Sequence, residues 1–112
     1  MTHNFKALVL TYKSAPVAIR EQVSLNEEAS KKLLHFMREY TAATDILVVS
    51  TCNRTEIYYL SEQNFSKAIF KGLSLIKNLG AEFEEHFTEL SGPEAIQHLF
   101  DVSIGLDAQV IG

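Results

Sequence analysis

Residues 46–60 read ILVVSTCNRTEIYYL, and the order of the fold elements turns on them. Ile46–Ser50 is an unbroken apolar run, which predicts a central strand. Ile57–Leu60 predicts a second strand just beyond it. The short loop Thr51–Thr55 between them has a length that suits a β-hairpin. Upstream, Phe5–Tyr12 is rich in apolar, aromatic and threonine residues and reads as a largely buried strand. Pro16 breaks that strand into an extended or turning loop, Ser14–Val17. Ser24 and Glu27 have the S-x-x-E spacing of a capping box. Ala29, Leu33, Phe36, Met37 and Tyr40 follow at helical spacing, which predicts a helix over 25–40.

Downstream of the hairpin, Phe65, Ile69, Leu73 and Ile76 form a second helical stripe that stops near Gly80. His86–Leu90 is a short candidate strand. Gly92-Pro93-Glu94 then opens a third helix, with Pro93 at its first position. Ile96, Leu99, Phe100, Ser103 and Leu106 are its expected inward positions. The order β-α-β-β-α-β, followed by a helix, is the ferredoxin-like split βαβ pattern of the α+β class with an additional C-terminal helix. The chain stops at Val110-Ile111-Gly112 inside a periodic segment, as a fragment of a longer protein would.

The 112 residues amount to one small domain, 46% apolar and 21% charged, which excludes a disordered or collagen-like chain. No apolar run reaches the roughly 18–20 residues that cross a membrane, and no basic-then-apolar leader opens the chain. The expected setting is the cytoplasm, away from membranes. The single cysteine forms no internal disulfide and excludes a multi-cysteine metal site. Ten Lys and Arg against fourteen Asp and Glu give a net charge of −4. That argues against a surface built wholly for nucleic acid, while leaving room for a basic patch. Lys6, Lys13, Arg20, Lys31, Lys32 and Arg38 are candidates for such a patch.

The chemistry concentrates in Ser50-Thr51-Cys52-Asn53-Arg54-Thr55-Glu56. Cys52 falls at the exit of the apolar strand, on a loop held by rigid elements. The nearby Arg54 charge favours a thiolate, the form that attacks carbon. Its guanidinium also suits a substrate carboxylate. Thr51 and Asn53 supply neutral donors, and Asn53 tolerates the left-handed backbone of a tight turn. The plain alternatives are an inert small hydrophobe for Cys52 and a surface ion pair for Arg54 and Glu56. Of the four histidines, His3 and His35 look incidental, and acid-flanked His86 is expected in solvent. His98, beside Leu99 and Phe100, is placed to serve as a base or hydrogen-bond partner, or as a satisfied histidine at a helix–sheet seam. No cluster has metal-ligand spacing, so no metal is expected. No G-x-G-x-x-G or phosphate loop is present.

Three segments together resemble the N-terminal catalytic domain of the glutamyl-tRNA reductase family. Lys13-Ser14-Ala15-Pro16-Val17 with Ile19-Arg20-Glu21 is close to the family's K-T-A-P-V…R-E. Ser50–Tyr58 matches its S-T-C-N-R-T-E-I-Y. His98-Leu99-Phe100, Gly105-Leu106-Asp107 and Val110-Ile111-Gly112 are similar to its H-L-F…S-G-L-D-S-x-V-x-G. The resemblance implies that residues 1–112 are a single catalytic, glutamyl-tRNA-recognising domain, with NADPH-binding and dimerisation domains beyond it. It implies that a cysteine, here Cys52, attacks the aminoacyl ester of glutamyl-tRNA(Glu). The resulting thioester is reduced with NADPH to glutamate-1-semialdehyde, at the start of tetrapyrrole synthesis. Thr51 and Arg54 fall on the family's substrate-binding positions and His98 on its active-site histidine, with Asn53 a further substrate contact. NADPH would be held by a domain outside this chain. A homodimer of the full-length protein and a glutamate-1-semialdehyde aminomutase partner are implied in the same way.

There are departures from the family pattern. Tyr12 stands where the family has histidine, and Ile104 and Ala108 replace its serines. The serine matching Ala108 can contact substrate in the family. The alternative reading of the chain is a non-catalytic ferredoxin-like module that binds an acidic small molecule or an RNA end.

Overall fold

The computed structural model describes the backbone of residues 4–111 and the side chains of residues 4–105. The expectations for His3, and for the side chains of Leu106, Asp107, Ala108, Val110, Ile111 and Gly112, lie outside the described residues. The elements run β1 (Phe5–Thr11), α1 (Val17–Val23), α2 (Glu27–Tyr40), β2 (Thr44–Thr51), β3 (Arg54–Leu60) and α3 (Ser66–Lys77). A short 3₁₀ turn (Glu82–His86), β4 (Thr88–Ser91) and α4 (Pro93–Ile111) complete the chain. The four strands form one sheet in the order β2-β3-β1-β4, and each neighbouring pair is antiparallel.

Helices cover both faces of this sheet. On one face Leu8, Leu10, Ile57 and Tyr59 meet Leu33 and Met37 of α2, Ile69 and Leu73 of α3, and Phe83 and Phe87. Phe70, Phe83 and Phe87 close that layer with edge-to-face ring contacts. On the other face Ala7, Val9 and Tyr58 lie under Ala95 and Leu99 of α4. Because β1 and β3 are buried from both sides, they lack the polar alternation of a half-exposed strand. The register Val9↔Glu56 and Thr11↔Arg54 fixes which residues of β3 face α4.

Several elements differ from expectation. The apolar run 46–50 belongs to an edge strand rather than a central one. Its start carries a register shift between Thr44 and Leu47, with Asp45 at φ 51°. Val17, expected in the Ser14–Val17 loop, instead opens α1, which runs to Val23 through residues assigned to no element. The cap of α2 is not the Ser24/Glu27 box. Asn26 accepts from the Ala29 N–H at 2.8 Å instead, while Ser50 Oγ takes the Leu25 N–H, so the chain enters the helix two residues later. Asn78, left-handed at φ 56°, ends α3 ahead of Gly80.

His86 ends the 3₁₀ turn rather than opening a strand, and it is not simply solvated. Its Nδ1 donates to the Ser14 carbonyl at 3.2 Å, and Ser14 Oγ donates back to the His86 carbonyl at 3.0 Å.

The inward face of α4 is also rotated from the expected one. Leu99 packs against the sheet as expected, and Ala95 and Val102 are buried, whereas Ile96, Phe100 and Ile104 are exposed, as is Ser103. On the inward side Ala95 packs against Ala7, Val9 and Tyr58, and His98 reaches Glu56 Oε2.

Candidate active site

The β2–β3 hairpin closes more tightly than its sequence suggests. Thr51 pairs with Arg54, so the turn is only Cys52 and Asn53. Thr51 Oγ1 accepts the Asn53 N–H at 3.2 Å. Among the described residues the positive-φ positions are Asp45, Asn78 and Gly92, so the left-handed tolerance expected of Asn53 is not used. Cys52 is exposed at the tip.

Side chains alternate along β3. Thr55 faces the α1–α2 side, where its hydroxyl donates to the Val23 carbonyl at 3.3 Å and lies 3.1 Å from Ser50 Oγ. Arg54, Glu56 and Tyr58 face α4. The Glu56 carboxylate is 0% exposed. Its Oε1 accepts the Tyr58 hydroxyl at 2.5 Å. Its Oε2 accepts Arg54 Nη1 at 3.1 Å and lies 2.7 Å from His98 Nε2. A carboxylate removed from water this fully is tolerable only when charged and polar donors replace the lost hydration. Here three do so.

An ionised carboxylate only accepts, so His98 Nε2 carries the hydrogen. Nδ1 is then the nitrogen that holds the lone pair whenever the ring is neutral. Burial, and the hydrogen bond to the Glu56 charge, hold the Tyr58 phenol far above its ordinary range. Burial likewise raises Tyr59.

Arg54 and His98 remain partly open, at 20% and 27% exposure. They line a cleft of about 220 Å³ together with Thr11, Tyr12, Lys13, Thr51, Asp101, Val102 and Gly105. The cleft holds two cationic side chains, Arg54 and the exposed Lys13, and one acid, Asp101. Asp101 also accepts from Gln97 Nε2 at 2.9 Å. Such a lining suits a small ligand that carries a carboxylate and a cationic group.

Of the residues singled out from sequence, Thr51, Arg54 and His98 share this cleft. Cys52 and Asn53 line another, beside Val17, Arg20, Glu21 and Ser24 of the α1 region. The hairpin tip thus stands between two recesses. Arg54 and Glu56 are not a surface pair, since one partner is wholly buried. Sequence reasoning missed Glu56 as the centre of the array, along with Tyr58 and Asp101. The period-two alternation from Arg54 through Glu56 to Tyr58 was the available signal.

Among the described residues no group of three His, Cys, Asp or Glu side chains is placed to hold a metal ion. None of the described helices is long and apolar enough to cross a membrane. Gly72 lies inside α3 where an added Cβ would fall 2.7 Å from the Phe36 ring, so it lines helix packing rather than a phosphate cradle.

The family model for the glutamyl-tRNA(Glu) reductase N-terminal domain matches residues 8–112. Relatives named glutamyl-tRNA reductase include one from Cytophaga hutchinsonii, 44% identical over 117 aligned positions that take in 100% of this chain and 27% of the relative. Another, from Aquifex aeolicus, is 35% identical over 92% of this chain and 25% of its own length. The solved structure of the glutamyl-tRNA reductase from Methanopyrus kandleri superposes with a TM-score of 0.69 at 18% identity. That match covers 94% of this chain and 23% of that one, and shows a shared mixed α/β fold. This chain belongs to the glutamyl-tRNA reductase N-terminal domain family. It spans about a quarter of the length of the curated relatives it matches.

Proposed function

We propose that this chain is the catalytic domain of a glutamyl-tRNA reductase and performs its acyl-transfer half-reaction. The observation that carries the reading is the array in which Arg54 and Glu56, on the strand that leaves the Cys52 turn, meet His98 of α4, in a chain of this family. In this reading the γ-carboxylate of the glutamyl group enters the cleft beside Arg54. The remaining Arg54 nitrogens, those not bonded to Glu56, receive it. Thr51 and Asn53 supply neutral hydrogen bonds at the tip. The Cys52 thiolate attacks the carbonyl carbon of the aminoacyl ester. A C–S bond forms, the ester C–O bond breaks, and the departing ribose oxygen takes up a proton to restore the tRNA hydroxyl. His98, oriented by Glu56, is the group suited to hold or move that proton through Nδ1. A thioester is more electrophilic than the ester it replaces, so the later reduction is eased.

The reductant of the complete enzyme is NADPH, which we place in a domain outside these residues; no step on this chain is routed through it. Homodimerisation, association with glutamate-1-semialdehyde aminomutase, a cytoplasmic location and a role in tetrapyrrole synthesis belong to the same proposal for the whole protein. The antiparallel order β2-β3-β1-β4, with crossovers through helices, supports assigning the fold to the ferredoxin-like split βαβ group. Acid-quench mass spectrometry of the chain mixed with glutamyl-tRNA tests the function. A glutamyl adduct on Cys52, labile to hydroxylamine, is expected. A folded chain that yields neither adduct nor ester cleavage would refute the assignment of acyl transfer to these residues.

A further inference from the structure

Arg54 is the cation nearest to Cys52 in sequence, yet its guanidinium points to Glu56 on the α4 side. Another arginine touches the cysteine residue itself. Arg20 Nε donates to the Cys52 carbonyl at 3.3 Å, and Arg20 Nη1 donates to the Ala15 carbonyl at 2.9 Å. We propose that Arg20 is the positioning residue for Cys52: its guanidinium ties the hairpin turn to the start of α1 and so sets where the thiol stands.

The two ends of this tie differ in how they are held. Ala15 is buried, and its N–H is bonded to the Thr11 carbonyl at 3.0 Å, so it is a fixed point at the end of β1. Arg20 is itself fixed by its N–H bond to the Pro16 carbonyl at 3.0 Å in the first turn of α1. Cys52 lies on a two-residue turn at the exposed end of an edge hairpin, where the local restraint is the Thr51 Oγ1 bond to Asn53. A planar fork bridges two carbonyls at fixed separation, which the single point charge of a lysine does not reproduce. Arg20, Cys52 and Asn53 also line the same recess. Acyl transfer depends on holding the nucleophile at the acyl carbon, and a displacement of about 1 Å costs on the order of 100-fold in rate. Alkylation by a small, freely diffusing reagent has no such geometric demand.

The proposal rests on Cys52 being the acyl acceptor, and one experiment separates the two. The wild-type chain, Arg20→Lys, Arg20→Gln and Cys52→Ala are each mixed with glutamyl-tRNA, quenched in acid and weighed intact. Iodoacetamide alkylation of Cys52 and the melting temperature are measured on the same samples. Arg20→Lys should form the Cys52 adduct about 100-fold more slowly, alkylate within about 3-fold of wild type and remain folded. Arg20→Gln, which retains one donor and loses the charge, should also be slow in transfer.

Wild-type adduct formation with undiminished transfer in either folded Arg20 variant overturns the positioning role alone. Equal losses of transfer and alkylation also overturn it, because Arg20 would then act on the thiol rather than on its placement. Absence of any wild-type adduct overturns both this role and the acyl-acceptor reading.

Discussion

His98 Nε2 lies 2.7 Å from Oε2 of Glu56, across 42 residues of sequence and from a helix to the middle of a sheet. The same oxygen receives Arg54 Nη1, so the placements of the histidine and the arginine are set by one carboxylate. Glu56→Gln keeps the shape and removes the charge that both donors face. It should lower stability in urea by about 1.5–3 kcal/mol. Glu56→Ala, which leaves Arg54 without its partner, should cost up to about 3–5 kcal/mol. His98→Asn should cost less, because that ring already meets solvent. Unchanged denaturation midpoints in both Glu56 variants would show that the carboxylate is not the anchor.

Cys52 contributes little packing, since it is exposed at the turn. Cys52→Ala should therefore shift stability by no more than about 0.5 kcal/mol while removing the glutamyl adduct completely. Thermal melts and intact-mass spectra of the same preparation provide the check. An adduct that persists in the alanine variant would place the acyl acceptor elsewhere.

Arg54→Lys preserves the charge but cannot bind Glu56 and a ligand carboxylate with the same planar fork. Loss of one charge-assisted carboxylate contact, about 1.5–3 kcal/mol, corresponds to roughly a 10–150-fold drop in discrimination between glutamyl and glutaminyl esters. Competition between the two esters for the wild type and the variant measures it. A wild type that accepts both equally would remove the carboxylate-reading role from Arg54.

Tyr58 and Tyr59 bring a pH dependence whose sign is fixed. Their folded-state phenols ionise above the ordinary tyrosine value, so the unfolded chain releases protons that the native chain still holds. The associated stability is complete below about pH 10 and declines above it, by about 1.4 kcal/mol per pH unit for each such group. Tyr58→Phe should flatten that alkaline decline, at the cost of one hydrogen bond at neutral pH. Urea unfolding between pH 8 and pH 11 would reveal it, and identical alkaline slopes in variant and parent would count against it.

The hairpin, the α2 and α3 stripes and the Pro93 helix start were legible because each rests on local periodicity or a local cap. Ile69 and Leu73 face the core where their spacing put them. The inward face of α4 was legible at Leu99 but not at Ala95, which packs on the sheet, nor in the His98–Glu56 contact. Long-range polar pairing leaves no periodic trace. The same holds for Asn26 replacing Ser24 as the cap, because the chain there is tied to β2 by Ser50 Oγ on the Leu25 N–H, a contact between residues 25 apart in sequence. At the site, Cys52, Arg54 and His98 could be singled out from the chain, and Arg54 and His98 do line one cleft. Their division between two recesses could not, since it depends on which way each residue of a two-residue turn and its flanking strands points.

The alternation along β3 makes this strand intolerant of length change. Thr55 and Ile57 look toward one helical layer, and Arg54, Glu56 and Tyr58 look toward the other. Inserting or deleting a single residue before Glu56 would send the carboxylate into the oily layer of Leu33 and Met37 and turn Ile57 toward the arginine. A substitution here alters one side chain and leaves the alternation in place, but a one-codon indel would strike folding and chemistry together. A library intended to vary the length of this protein should therefore spare residues 54–58 and place its insertions in the exposed stretch around residues 80–82.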